Sequence, residues 1–277
     1  MIEQYINTPE GKLFVANYPG KQKKNVALVL HGWGENSKWY IDVSRKLNSL
    51  GWSVVLLDLR GHGRSFGKRG FIHNWEEYAV DLEAGLRYTL AEYTQEKLFL
   101  FGQSMGALVI LRYLQTVEKH TQLAGAILAS LPIHIDLKFG RIESFTMRCL
   151  NYIYPSLGIK YKLPKDLIRS NKKVVLTSKS KHYGHRIFTP RWFVEFHKNI
   201  ELARVTDFPD QFPILILHGA NDLMIDLQEL KSIVTQRGVV EENIISYENI
   251  GHKIFQEKKN KKVYVDILNW LAKNQEV

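Results

Sequence analysis

The chain has 277 residues, and 38 Lys+Arg against 28 Asp+Glu give a formal charge of +10 at pH 7. A hydrophobic fraction of 45% excludes intrinsic disorder and predicts a sizeable buried core. A single cysteine excludes an intrachain disulfide and any cysteine-built metal site, and the basic balance points to an anionic partner without choosing one.

The opening residues alternate polar and apolar side chains, and short runs at 5–6 and 12–16 predict a hairpin around Thr8-Pro9-Glu10-Gly11. The basic run Lys21-Gln22-Lys23-Lys24 follows, with no apolar stretch of the kind a secretory signal requires. No uncharged apolar run reaches the ~18 residues of a membrane span, so a soluble, cytoplasmic protein is expected. Apolar runs at 26–30, 53–57, 97–101 and 126–129 then read as strands, separated by helical segments at 39–50, 75–93 and 105–117. Two more strand–helix units, 214–217 with 227–237 and 244–247 with 261–273, close the chain. This alternation predicts a mainly parallel sheet covered on both faces. Between Pro132 and Asp207 the rhythm is lost, and because it resumes at Phe212-Pro213-Ile214 the stretch reads as an insertion.

The strongest local feature is Gly102-Gln103-Ser104-Met105-Gly106. It follows a strand and opens a helix, so Ser104 sits on a sharp turn that lifts its hydroxyl above the sheet. A serine that merely caps the helix is the alternative. A nucleophilic serine needs a base, and the base an orienting acid. Gly251-His252-Lys253 follows the last strand, and Leu217-His218-Gly219-Ala220-Asn221-Asp222 follows the one before it. The order Ser104, Asp222, His252 is that of a nucleophile-elbow hydrolase. Asp226 is the rival acid, better suited to capping the helix that starts at Leu227, and His218 reads as structural. His31-Gly32-Trp33-Gly34-Glu35 lies after the strand at 26–30, where the second oxyanion donor is expected. The backbone N–H groups of Trp33 and Met105 are therefore the candidate oxyanion hole, worth about 3–4 kcal/mol per donor. His62, in Asp58-Leu59-Arg60-Gly61-His62-Gly63-Arg64-Ser65, has no second ligand at metal spacing and reads as part of a tight turn.

Taken together, the His31–Glu35 and Asp58–Ser65 stretches, the Ser104 pentad, the Asp222 loop and Gly251-His252 resemble an α/β-hydrolase. More narrowly they resemble the monoacylglycerol lipase and lysophospholipase group, in which HGxGE, D-x-RGHG-x-S and GxSMG occur in this order. Gln103 stands where that group often has His, and Gly-His-Lys is nearer its bacterial lysophospholipase branch. The resemblance implies an α/β-hydrolase fold, a mainly parallel eight-stranded sheet flanked by helices with an inserted, mostly helical cap. Residues 1–131 and 208–277 would form the core and 132–207 the cap (lid) that selects substrate. It implies a serine hydrolase that cleaves carboxylic esters of single-chain lipids, lysophospholipids or monoacylglycerols, through an acyl-enzyme, with no metal and no cofactor. The alternatives are an esterase or acyl-thioesterase for small soluble substrates, a proline-iminopeptidase-like peptidase, or a non-catalytic binding protein.

Within 132–207, Trp192, Phe193 and Phe196 share one helical face that is a candidate substrate-binding wall or a packing stripe. Leu137 to Tyr154, with Phe139, Ile142, Phe145, Leu150 and Ile153 at helical spacing, reads as a membrane-facing helix. Cys149 within it is expected to be a buried small side chain. The insertion holds 15 Lys+Arg and 6 Asp+Glu, so nearly all of the charge excess sits there. Lys160, Lys162 and Lys165 are therefore candidates for peripheral contact with anionic membrane. No nucleic-acid motif accompanies the basic residues, and nothing in the sequence sets an oligomeric state.

Overall fold

The computed structural model describes residues 1–21, 25–117, 122–135, 141–161, 184–257 and 261–274. Phe139, Lys162 and Lys165 lie outside the described residues. Strands β1 (Ile2–Asn7) and β2 (Lys12–Tyr18) form the opening hairpin, closed where the Thr8 N–H and hydroxyl both donate to the Gly11 carbonyl. Then follow β3 (Asn25–Leu30), α1 (Ile41–Ser49), β4 (Ser53–Leu57), α2 (Glu76–Glu92), β5 (Lys97–Gln103), α3 (Met105–Thr116) and β6 (Leu123–Ala129). An interposed stretch carries α4 (Arg141–Ile153), a two-stranded sheet of β7 (Ile159–Lys160) and β8 (Ile187–Phe188), and α5 (Pro190–Val205). The chain closes with β9 (Ile214–Gly219), α6 (Leu227–Gln236), β10 (Ile244–Tyr247) and α7 (Lys261–Lys273).

The main sheet has eight strands in the order β1-β2-β4-β3-β5-β6-β9-β10. Only the pairings of β1 with β2 and of β2 with β4 are antiparallel. Central strands such as Asn25–Leu30 are buried at every position, which is why they read as continuous apolar runs. The two-residue alternation still divides them. Val26, Leu28 and Leu30 pack into the core cluster holding residues of α2, α3, α5 and α6, while Ala27 and Val29 join the cluster of α1 and α7 on the other face.

The structure refines several boundaries. The helical segment expected at 39–50 begins with a separate 3-10 turn, Ser37–Tyr40, capped by the Asn36 side chain, which accepts from the Lys38 N–H at 3.0 Å. β5 runs on to Gln103 because its pairing with β6 continues to Gln103↔Ala129. The helical face of Trp192, Phe193 and Phe196 belongs to α5, with the Thr189 hydroxyl accepting from the Trp192 N–H at 3.3 Å and Pro190 in the first turn. Cys149, expected to be buried, is exposed on α4, which leaves Phe145, Tyr152 and Ile153 exposed as well. No helix among the described residues is long and apolar enough to cross a membrane.

One buried network spans the hairpin, the loop after β4 and α2. The Arg60 guanidinium donates to Asp81 Oδ1 from Nε at 3.0 Å and from Nη2 at 2.8 Å, and its backbone N–H reaches Oδ2 at 2.8 Å. Glu10 and Glu77 complete the cage at 2.8 and 3.4 Å. The Asp81 side chain is fully buried. Removing Asp81 takes from the buried Arg60 its one fully buried carboxylate partner and three hydrogen bonds, so Asp81→Ala is expected to cost about 3 kcal/mol. For a chain of this size that corresponds to a fall in Tm of roughly 5–10 °C, read by thermal unfolding. Asp42→Ala, which breaks an exposed pair with Arg45 at 3.3 Å, is expected to stay within about 0.5 kcal/mol of wild type.

Candidate active site

Ser104 lies between β5 and α3 with φ 53° and ψ −119°, and its side chain makes no helix-cap hydrogen bond. The alternative of a capping serine is therefore not what the structure holds. The positive φ is a strained conformation for a non-glycine residue, costing on the order of 1–3 kcal/mol. It is sustained by close packing: a Cβ on Gly106 would lie 2.6 Å from the Leu30 carbonyl oxygen, and one on Gly102 2.6 Å from the Ala107 backbone. Glycine at both positions lets the strand turn directly into the helix. Met105 opens α3, so its N–H has no carbonyl partner four residues back within the helix.

His252 and Asp222 arrive from the loops after β10 and β9. Those loops are stitched together where the Ala220 N–H donates to the Tyr247 carbonyl and the Asn221 N–H to that of Ile250, both at 2.9 Å. His252 Nε2 lies 3.0 Å from Ser104 Oγ, and His252 Nδ1 lies 2.8 Å from Asp222 Oδ2. Asp222 Oδ1 accepts from the Met224 N–H at 2.8 Å. Burial would raise the Asp222 carboxyl, but the adjacent His252 imidazole and the Met224 N–H outweigh it and hold the group below its ordinary range. An ionised Asp222 makes Nδ1 the donor and leaves the Nε2 lone pair facing the serine hydroxyl. This arrangement can move a proton from Ser104 to His252. Asp226 is placed elsewhere, accepting from the Glu229 N–H at 2.8 Å as the N-cap of α6.

The loop of His31 to Glu35 lies beside the start of α3. Gly34 takes φ +73°, the Glu35 N–H donates to the Gly32 carbonyl at 3.2 Å, and the Gly32 N–H donates back to Glu35 Oε2 at 3.1 Å. These bonds close a turn around Trp33, which lines one cavity together with Ser104 and His252. The far wall is aromatic. Trp192, Phe193 and Phe196 of α5 both line the cavity and pack into the core. Trp192 is fixed by donation from Nε1 to the Tyr78 hydroxyl at 3.1 Å and by stacking on Phe196 at 4.7 Å.

Four features of the site were not read from the sequence. Gln103 Nε2 and the Ser130 hydroxyl both donate to the His252 carbonyl, at 2.8 and 2.7 Å. Lys253 Nζ, next to the base, is 2.5 Å from Glu35 Oε1. The rings of His31, His62 and His185 form a cluster with centroids 4.9 and 4.7 Å apart and planes tilted by 47° and 43°. His185, from the segment before β8, also donates its backbone N–H to the Gly34 carbonyl at 3.0 Å and meets Trp33 edge-on at 6.0 Å. Burial, with neighbouring rings adding, pushes His62 well below the usual histidine range. Burial, Arg69 and His31 push His185 down to about 4, so His62 and His185 are uncharged at neutral pH. His31, Glu35, His62, Gln103 and Lys253 lie in motifs the sequence shows, but their pairings join segments distant in the chain.

A mainly parallel eight-stranded sheet with a serine, a histidine and an aspartate converging at its carboxyl edge defines an α/β-hydrolase. Residues 21–259 match the family described as serine aminopeptidase, S33 (Hydrolase_4), and the chain belongs to that family. It is 29% identical over 247 residues to the phospholipase YtpA of Bacillus subtilis, covering 86% of this chain and 92% of that protein. It is 21% identical over 260 residues to the monoacylglycerol lipase of Mycolicibacterium smegmatis, covering 92% and 90%. The crystal structure of a soluble variant of monoglyceride lipase from Saccharomyces cerevisiae superposes with a TM-score of 0.84 at 21% identity, covering 98% of this chain and 94% of that one. A hydrolase of lipase or esterase type follows from these relations.

Proposed function

We propose that the chain is a serine hydrolase that cleaves the carboxylic ester of a single-chain lipid, a lysophospholipid or a monoacylglycerol, through an acyl-enzyme. The observation that carries this reading is the Ser104–His252–Asp222 hydrogen-bond chain at the mouth of an aromatic-walled cavity. Ser104 Oγ attacks the ester carbonyl while His252 Nε2 takes its proton, and Asp222 steadies the imidazolium. The Trp33 and Met105 N–H groups receive the charge that develops on the carbonyl oxygen. His252 then protonates the departing alcohol, and a water activated by His252 releases the acid and regenerates the serine. Every step uses groups of this chain and water, so the mechanism calls for no cofactor.

In this reading residues 1–131 and 208–277 are the catalytic core and 132–207 a cap, whose Trp192, Phe193 and Phe196 hold the acyl chain. The names of the relatives, a phospholipase and monoacylglycerol lipases, support a lipid ester. Peripheral contact with anionic membrane is part of the same proposal. It is supported by the exposed Phe145, Tyr152, Ile153, Tyr154 and Leu157, a patch of the kind that marks interaction sites, in a segment of basic excess. The test is hydrolysis of lysophosphatidylcholine, monoolein and p-nitrophenyl butyrate side by side. The lipid esters are expected to give a kcat/KM at least tenfold above that of the butyrate. A preference for the butyrate overturns the lipid assignment in favour of a soluble-ester esterase.

A further inference from the structure

The buried pair of Glu35 and Lys253 lies outside the proton path yet links the loop of Trp33 to the residue after His252. Glu35 is 3% exposed, and each carboxylate oxygen is used. Oε2 accepts from the Tyr40 hydroxyl at 2.6 Å and from the Gly32 N–H at 3.1 Å, while Oε1 accepts from Lys253 Nζ at 2.5 Å. The same carboxylate thus closes the turn around Trp33 and holds the residue that follows His252. Lys253 Nζ also stands 4.0 Å over the Trp39 ring. Burial alone would raise the Glu35 carboxyl, but Lys253, the Tyr40 hydroxyl and the Gly32 N–H outweigh it and hold the group below its ordinary range. On the opposite side the His252 carbonyl is pinned by Gln103 and Ser130. The imidazole is therefore set from behind by β5 and β6, and from the front by the loop after β3.

We propose that Glu35 and Lys253 form a brace that sets the spacing between the oxyanion loop and the base, and that both act as positioning residues. The proposal rests on the serine-hydrolase reading of the site. The oxyanion donor at Trp33 and the base at His252 belong to loops 218 residues apart, and the geometry on which turnover depends tolerates errors of well under 1 Å. A direct ionic tie between those loops removes one degree of freedom from that geometry. Because the tie touches no reacting atom in the mechanism, its loss shows in kcat and leaves substrate binding in the aromatic cavity largely alone.

The test compares Glu35→Gln, Lys253→Met, Lys253→Arg and the double variant Glu35→Gln/Lys253→Met on p-nitrophenyl butyrate. Active sites are counted by fluorophosphonate titration, so that unfolded protein does not enter the rates. Each charge-removing single variant is expected to lower kcat about 10- to 100-fold with KM within threefold of wild type. Lys253→Arg, which keeps the ion pair, is expected to stay within about fivefold. The double variant is expected to lose no more than the worse single variant, since both remove one tie. Losses that multiply in the double variant overturn the brace, as does an unchanged kcat in Lys253→Met. Opposite effects of the two single variants also overturn it, because they would mark simple charge tuning of the base. A wild type inert to both ester and fluorophosphonate would overturn the serine-hydrolase reading itself, whereas an active wild type with indifferent variants removes the brace alone.

Discussion

Ser104→Ala is expected to lower kcat on any ester by on the order of 10⁴–10⁶ and to abolish labelling by a fluorophosphonate. The hydroxyl is the only atom removed, and the turn that carries it is held by its glycines and by the Ser104 N–H, which donates to the Ala129 carbonyl at 2.9 Å. His252 keeps Asp222 and its two carbonyl donors, so the folded site persists without its nucleophile. The proposed oxyanion donors and the cavity remain, which is why a small residual rate above that of water is expected. Hydrolysis of p-nitrophenyl butyrate, with circular dichroism to verify folding, makes the measurement. Retained labelling would remove Ser104 from the mechanism.

Asp222→Asn is expected to reduce kcat about 10⁴-fold with little loss of stability. Its effect follows from the donors around it. The Met224 N–H points at Oδ1 at 2.8 Å, so an amide at this position places its oxygen there and its NH₂ group against His252 Nδ1. Nδ1 is then forced to accept, the ring proton moves to Nε2, and a donor faces the serine hydroxyl where an acceptor is needed. Asp226→Ala provides the contrast. It removes an N-cap, costs about 1 kcal/mol and is expected to leave kcat within twofold. Equal kcat for the two variants, or a collapse in Asp226→Ala alone, would reverse the assignment of the acid.

How much of this was legible in the sequence depends on how local each feature is. The strand at 53–57 coincides with β4, because burial on both faces writes itself as an apolar run, and the one at 244–247 with β10, an edge strand whose Ser246 is exposed. Ser104, Asp222 and His252 were legible because each sits at a strand end in a fixed order, and the structure brings all three within hydrogen-bond reach. Asp226 was legible as a cap from its place before Leu227. Features that depend on two distant segments were silent. Nothing near Asp81 announces Arg60, and nothing near Lys253 announces Glu35, because an ion pair across a fold leaves no periodicity. Cys149 was misread for a related reason: apolar spacing along α4 signals an amphipathic helix but not which of its faces meets solvent.

The histidine cluster ties the inserted stretch to the loop that carries Trp33. His185 belongs to the inserted stretch, yet its backbone holds the Gly34 carbonyl and its ring completes the cluster with His62 and His31. Lifting that stretch would break the bond to Gly34, part His185 from His62 and slacken the turn that presents Trp33. In the proposed mechanism the inserted stretch would thus be a support of the oxyanion loop as well as a wall of the cavity.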